Sequence, residues 1–247
     1  GLTPLVGRGS ESTLLFERWA QTKDGNGQVV LLSGEAGIGK SRLVQALKNH
    51  VAEGPHTRLE CRSSPYFTNS ALYPIIDLIQ RTLGWHQGDA EDEKLGKLEQ
   101  SLSQYRVELS ETVPLVGALL SLPIPEDRYA SLTLTPQRQR QKTLETIVAM
   151  MLELAEREPV LFILEDLHWT DPSTLELLEL LIEQAPTSRL YALLTCRPEF
   201  ESAFGNRSYL TQMPLNRLSG DNVEQMVSRV TGGKSLPAEI VEQLVDK

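Results

Sequence analysis

The sequence predicts a three-layer α/β fold on a mostly parallel, five-stranded sheet. Three observations carry that prediction. Short continuous apolar runs at residues 29–33 (VVLLS), 160–164 (VLFIL) and 190–195 (LYALLT) alternate with segments of helical period. That is the order expected when crossover helices bury strands on both faces. A glycine-rich turn joins the first of these strands to a helix. An acidic pair, Glu165-Asp166, leaves the second at the edge where ligands of parallel sheets collect.

The elements follow in order. The strand at 29–33 leads through the glycine-rich turn into a helix over 40–51, and 57–61 reads as a weaker strand. A helix over 72–83 has its first turn set by Pro74. Residues 84–135 differ: they hold Gly and Pro punctuation, an acidic patch at 89–93, and two short amphipathic segments, 94–105 and 113–121. This stretch reads as a helical insertion at the sheet edge. Pro136 opens a long helix to 157, with Leu144, Ile147, Val148, Met151, Leu152 and Ala155 on one face. After the strand at 160–164, Asp171-Pro172-Ser173 caps a Leu-rich helix to 184. The strands at 190–195 and 210–215 complete the sheet. Helices over 221–230 and 237–247 read as the start of a second, helical subdomain.

Composition narrows the function. The chain has 247 residues, 40% of them hydrophobic, and a net charge of −9 from 24 Lys+Arg against 33 Asp+Glu. The length allows one large domain, or one and part of a second. The apolar content excludes a disordered chain. No apolar run approaches the ~18 residues of a membrane span, and the first residues show no basic-then-apolar leader pattern. The acidic balance argues against binding nucleic acid through a broad basic face. Cys61 and Cys196 are the only cysteines, with no second Cys or His at metal-site spacing. They read as reduced core thiols of a cytoplasmic protein. Opening on Gly1 and ending within a helical pattern, the chain reads as a segment of something longer.

The strongest chemical signal is Gly34-Glu35-Ala36-Gly37-Ile38-Gly39-Lys40-Ser41, a full match to G-x-x-x-x-G-K-[ST] between a strand and a helix. Such a loop wraps phosphates with successive N–H groups and the positive end of the helix. Lys40 would set a charge on the β- and γ-phosphates, and the Ser41 hydroxyl would ligate Mg²⁺. A second strand ending in a carboxylate is required beside it. Glu165 is expected in the metal shell and Asp166 beside the attacking water. Thr195-Cys196-Arg197 ends another strand, where Arg197 would stabilise or report the γ-phosphate. Arg138, Arg140 and Lys142 read as a solvated helical face, and His168 and Trp169 as packing or loop anchors.

Together these residues resemble the nucleotide-binding module of the STAND branch of AAA+-related P-loop ATPases. More narrowly, they resemble the AAA-type ATPase segment fused to bacterial class III adenylate/guanylate cyclases, protein kinases and LuxR-type regulators. Leu5-Val6-Gly7-Arg8-Gly9-Ser10-Glu11 resembles that family's LVGRE-x-EL segment, with Gly9 in place of the acid. The resemblance implies that this segment contacts adenine through Val6 and brings Arg8 near the nucleotide. The match through the phosphate loop extends to Arg42 and Leu43. Residues 165–175 resemble DDLHWADPST-L, with Glu165 where the family often has Asp, and 194–200 resemble its sensor strand.

The implied organisation is a P-loop nucleotide-binding domain over 1–216, with 84–135 inserted, and a lid subdomain beginning at 217–247. The implied ligands are ATP or ADP with Mg²⁺. The implied partners are an effector domain in the same polypeptide, a cyclase or kinase, and a helical-repeat sensor. The isolated segment is expected to be monomeric. Three functions stand open: a slow Mg-dependent ATPase switch, a nucleotide-clamped scaffold without hydrolysis, and a DNA-associated loader. Charge counts against the last.

Overall fold

Burial on both faces fixes the centre of the molecule. In the computed structural model, which describes residues 6–201 and 204–230, the sheet runs β2-β3-β4-β1-β5. The strands are β1 (Gln28–Ser33), β2 (Thr57–Arg62), β3 (Val160–Glu165), β4 (Leu190–Cys196) and β5 (Leu210–Pro214). All four pairings are parallel, so the sheet is wholly rather than mostly parallel. Register aligns the C-terminal ends: Ser33 lies opposite Cys196, and Arg62 opposite Glu165. One edge therefore gathers the polar ends of four strands.

Alternate residues of each strand feed opposite layers, as the period of two requires. Val30, Leu32, Leu161, Ile163 and Tyr191 pack under α1 (Gly9–Lys23) and α2 (Lys40–Val51), against Leu15, Trp19, Leu43 and Leu47. Val29, Leu31, Phe162, Leu164, Ala192 and Leu194 face the other layer. That layer consists of α3 (Tyr73–Thr82), α6 (Pro136–Arg157) and α7 (Pro172–Gln184). Helix α1 is an element that the sequence pattern left unassigned. Its N-cap position is Arg8, which makes no side-chain capping bond, and its fully sequestered apolar residues are Leu15 and Trp19. Tertiary packing, rather than local signals, holds it in place.

The insertion is helical. Helices α4 (Glu91–Leu102) and α5 (Leu109–Leu119) share a small core of Leu95, Leu98, Leu102, Val113, Val116, Leu120 and Leu122. Three acids occupy the first turn of α4, which favours the helix start there. Helix α5 begins four residues before the expected 113, and Pro114 lies inside it rather than in its first turn. Helix α8 (Gly220–Val230) starts one residue ahead of the expected 221. The expected helix over 237–247 lies outside the described residues. No helix among the described residues is long and apolar enough to cross a membrane. Both cysteines are buried and free, and burial pushes the Cys196 thiol up to about 11.

Candidate functional site

The loop after β1 turns back over the sheet edge and delivers Lys40 and Ser41 to the first turn of α2. Gly39 makes the turn possible: it is the N-cap residue with φ 109°, a backbone state that L side chains rarely adopt. Lys40 Nζ donates to the Gly34 carbonyl at 2.5 Å and the Glu35 carbonyl at 2.8 Å. Burial lowers the pKa of its ammonium, and Asp166 is the largest influence opposing that shift. Ser41 Oγ donates to Glu165 Oε2 at 3.3 Å, across from α2 to the end of β3. Two oxygen donors thus meet beside the loop, a set that suits a hard divalent cation such as Mg²⁺. Among the described residues no group of three or more His, Cys, Asp and Glu forms a metal cluster.

Asp166 follows β3 in the left-handed region, with φ 62° and ψ 45°. Its N–H donates to Thr195 Oγ1 at 3.1 Å, tying the acid to β4. Its carboxylate accepts from Arg62 Nε at 2.8 Å. Sequence reading missed Arg62. The available signal was a strand-ending Arg, but its meaning depends on β2 lying beside β3. After Asp166, a short 3₁₀ turn carries His168 and Trp169. Arg197 stands over the Trp169 ring, 6.0 Å from its centroid. Burial lowers the His168 pKa from its ordinary value. Its buried Nδ1 has no hydrogen-bond partner among the described residues.

Asp171 explains the segment that follows. It is 2% exposed and accepts from Ser173 N and Thr174 N, both at 3.0 Å, and from the Thr174 hydroxyl. It also accepts from Leu72 N at 3.1 Å. One carboxylate therefore caps α7 and secures the start of α3.

These parts enclose an open cavity of about 690 Å³. Ala36, Gly37, Gly39, Lys40, Ser41 and Arg42 form its floor, and Asp166, His168, Trp169 and Arg197 one wall. Arg62, Ser63, Ser64 and Pro65 form the other wall, which sequence reading did not assign. Most of the expected site residues thus come together. Gly34 and Glu35 supply carbonyls to Lys40, and the Glu35 side chain lies 3.7 Å from Arg217. Val6 is buried. Arg8 does not line the cavity: its Nη2 donates to the Ile38 and Asn216 carbonyls instead.

Comparison with known proteins fits this geometry. A family model described as the AAA ATPase domain matches residues 4–194. An uncharacterised protein of Rhizobium meliloti (strain 1021), R02095, is 24% identical over 220 residues, which is 88% of this chain. The chain spans about a fifth of that relative's length, 21%. The Aeropyrum pernix ORC1 protein, solved in complex with DNA, aligns with 94% of this chain and 51% of its own, at 12% identity and a TM-score of 0.50. A signal transduction ATPase with numerous domains and a tetratricopeptide repeat sensor, from Pyrococcus horikoshii, aligns with 98% of this chain and 28% of its own, at 15% identity and a TM-score of 0.42. The ORC1 likeness is one of fold. The family match covers most of the chain and contains the phosphate loop, the acidic strand end and the cap at Asp171, so the chain belongs to the AAA ATPase domain family.

Proposed function

We propose that the chain is a regulatory ATPase module, which binds ATP with Mg²⁺, hydrolyses it slowly and passes its nucleotide state to neighbouring domains. The meeting of Ser41 Oγ and Glu165 Oε2 beside the Lys40 loop carries this reading. Ser41 and Glu165 would hold the cation, which when bound supplies charge neutralisation on the phosphates. The loop amides would cradle the phosphates, and Lys40 would exchange its carbonyl partners for phosphate oxygens. Arg197, steered by Trp169, would meet charge at the γ-phosphate. Asp166 would orient and polarise the attacking water.

The Arg62–Asp166 pair bears on the rate. Arg62 is 70% exposed, so the pair is worth only about 0–1 kcal/mol and opens readily. It tempers the acid without disabling it. The closed pair is also the observation behind a second reading, in which the acid goes unused and nucleotide only clamps the fold. Calorimetry with ADP and ATP plus Mg²⁺, together with phosphate release, separates the two. The switch reading expects binding that weakens at least tenfold, ~1.4 kcal/mol, in Lys40→Ala. It also expects turnover that falls about 100-fold in Asp166→Asn with binding retained. In Arg62→Ala turnover should rise by no more than about fivefold, the Boltzmann equivalent of a surface pair. Binding with no phosphate release leaves the clamp; absence of binding removes both.

A further inference from the structure

We infer that Arg8 is a positioning residue of the phosphate site, acting through the loop's main chain, and that its guanidinium also ties the loop to the linker ahead of α8. This rests on the nucleotide-binding reading. Arg8 is 6% exposed. Its Nη2 donates to the Ile38 carbonyl at 3.1 Å and the Asn216 carbonyl at 2.7 Å, and its Nη1 to Glu11 Oε1 at 2.9 Å. One planar group joins the start of α1, the phosphate loop and the segment after β5. A buried guanidinium gives up its water only where such bonds replace it, so the geometry is strongly determined.

The effect on the site follows from peptide planarity. The Ile38 carbonyl and the Gly39 N–H belong to one rigid trans unit and point in opposite directions. Holding the carbonyl on Arg8 aims the Gly39 N–H away from Arg8, and Gly39 lines the phosphate cavity. Arg8 thus sets an anion-binding donor without touching the anion.

The linker is fastened to the loop at more than one point. Leu215 N donates to the Ser33 carbonyl at 2.7 Å, immediately ahead of the loop. The Arg217 guanidinium lies 3.7 Å from the Glu35 carboxylate. Beside Arg8, Gly7 packs against Asn222 of α8 so closely that a Cβ there would lie 2.6 Å from Asn222 Cγ. A shift of the loop's carbonyl frame is therefore transmitted to the base of α8, and the reverse holds by linkage.

The test uses the full chain, with fluorescent ADP binding and hydrogen exchange over residues 34–41 and 215–220, with and without ADP·Mg²⁺. In Arg8→Ala, ADP affinity should fall at least tenfold. Both segments should exchange faster together without nucleotide, and the protection that ADP gives 215–220 should disappear. Arg8→Lys, which keeps the charge on a shorter reach, should lie between. Leu102→Ala, in the core of the insertion, serves as a control for lost stability and should leave affinity within twofold. Unchanged affinity in Arg8→Ala overturns the inference. So does an equal loss in Leu102→Ala, or loosening of one segment alone. If the wild type binds no nucleotide, the phosphate-site reading falls by itself. Exchange in nucleotide-free Arg8→Ala then decides the tie: joint loosening supports it and independent behaviour removes it.

Discussion

Single residues at this site divide into those that face the cavity and those that hold the frame, and Asp171 is the clearest of the second kind. Its buried carboxylate satisfies three backbone N–H groups from two helices and one hydroxyl. Asp171→Ala leaves the buried Leu72 and Thr174 donors without partners and removes an N-cap, a combined cost of about 2–3 kcal/mol. Asp171→Asn keeps the shape and should recover about half of it. Thermal unfolding checks this: a melting temperature lowered by roughly 5–10 °C in the Ala variant is expected at this size. Equal losses in both variants would mean that volume, not hydrogen bonding, matters there. The same division explains what could be read early. Gly34–Ser41 and Glu165-Asp166 are local patterns whose chemistry depends on neighbours in the chain, so the sequence displays them. Arg62 acquires its role only from the register that sets it opposite Glu165. Arg8 acquires its role from carbonyls 30 and 208 positions away.

At the scale of elements, β1, β3 and β4 were legible because burial on both faces leaves uninterrupted apolar runs. Helix α1 was not, since Leu15 and Trp19 gain their meaning from the strands beneath them. The insertion was legible as helical, but its attachment was not. That attachment is a latch at the end of α6. Glu153 Oε2 accepts from Arg106 N at 2.8 Å, while Arg157 bonds both Glu153 and the Gln104 carbonyl. The Arg106 N–H, more than the neighbouring guanidinium groups, holds the Glu153 carboxyl below its ordinary value of 4.5. A carboxylate depressed in the folded state stabilises above its unfolded pKa, and that contribution is lost as pH falls through the folded one. The latch is therefore closed at pH 7 and still closed at pH 4.5, and it releases only as pH falls through the lower, folded-state value. Glu153→Gln should accelerate hydrogen exchange at 104–107 at pH 7, and the difference from wild type should shrink as pH falls below that value. A difference that does not vary with pH would assign the effect to packing.

Across the whole molecule, the cavity and the insertion's core are built from separate sets of residues. The cavity draws on the loop, the C-terminal strand ends and the turns after β2 and β3, whereas Leu102 belongs to the insertion's own cluster. Distant sites of this kind contribute additively to stability, within about 0.3–0.5 kcal/mol. Ligand that binds only the folded state adds RT ln(1 + [L]/Kd), which is ~2.7 kcal/mol at one hundred times Kd. For a domain of this length that is a rise of roughly 5–10 °C in melting temperature. The rise should fall to about half or less in Lys40→Ala at the same ADP·Mg²⁺ concentration, because the loop loses the charge that faces the phosphates and a Kd weaker by about tenfold or more leaves at most ~1.4 kcal/mol of it. Leu102→Ala should melt lower by the cost of a buried cavity, about 2–5 kcal/mol, yet show the full ligand-induced rise. If that rise shrinks in Leu102→Ala, the insertion and the phosphate site are energetically joined, and the path to test would be α6, whose residues pack against both the insertion and the sheet. An undiminished rise separates the insertion energetically from the phosphate site and leaves the Arg8 contacts with the loop and the linker as the connection to test.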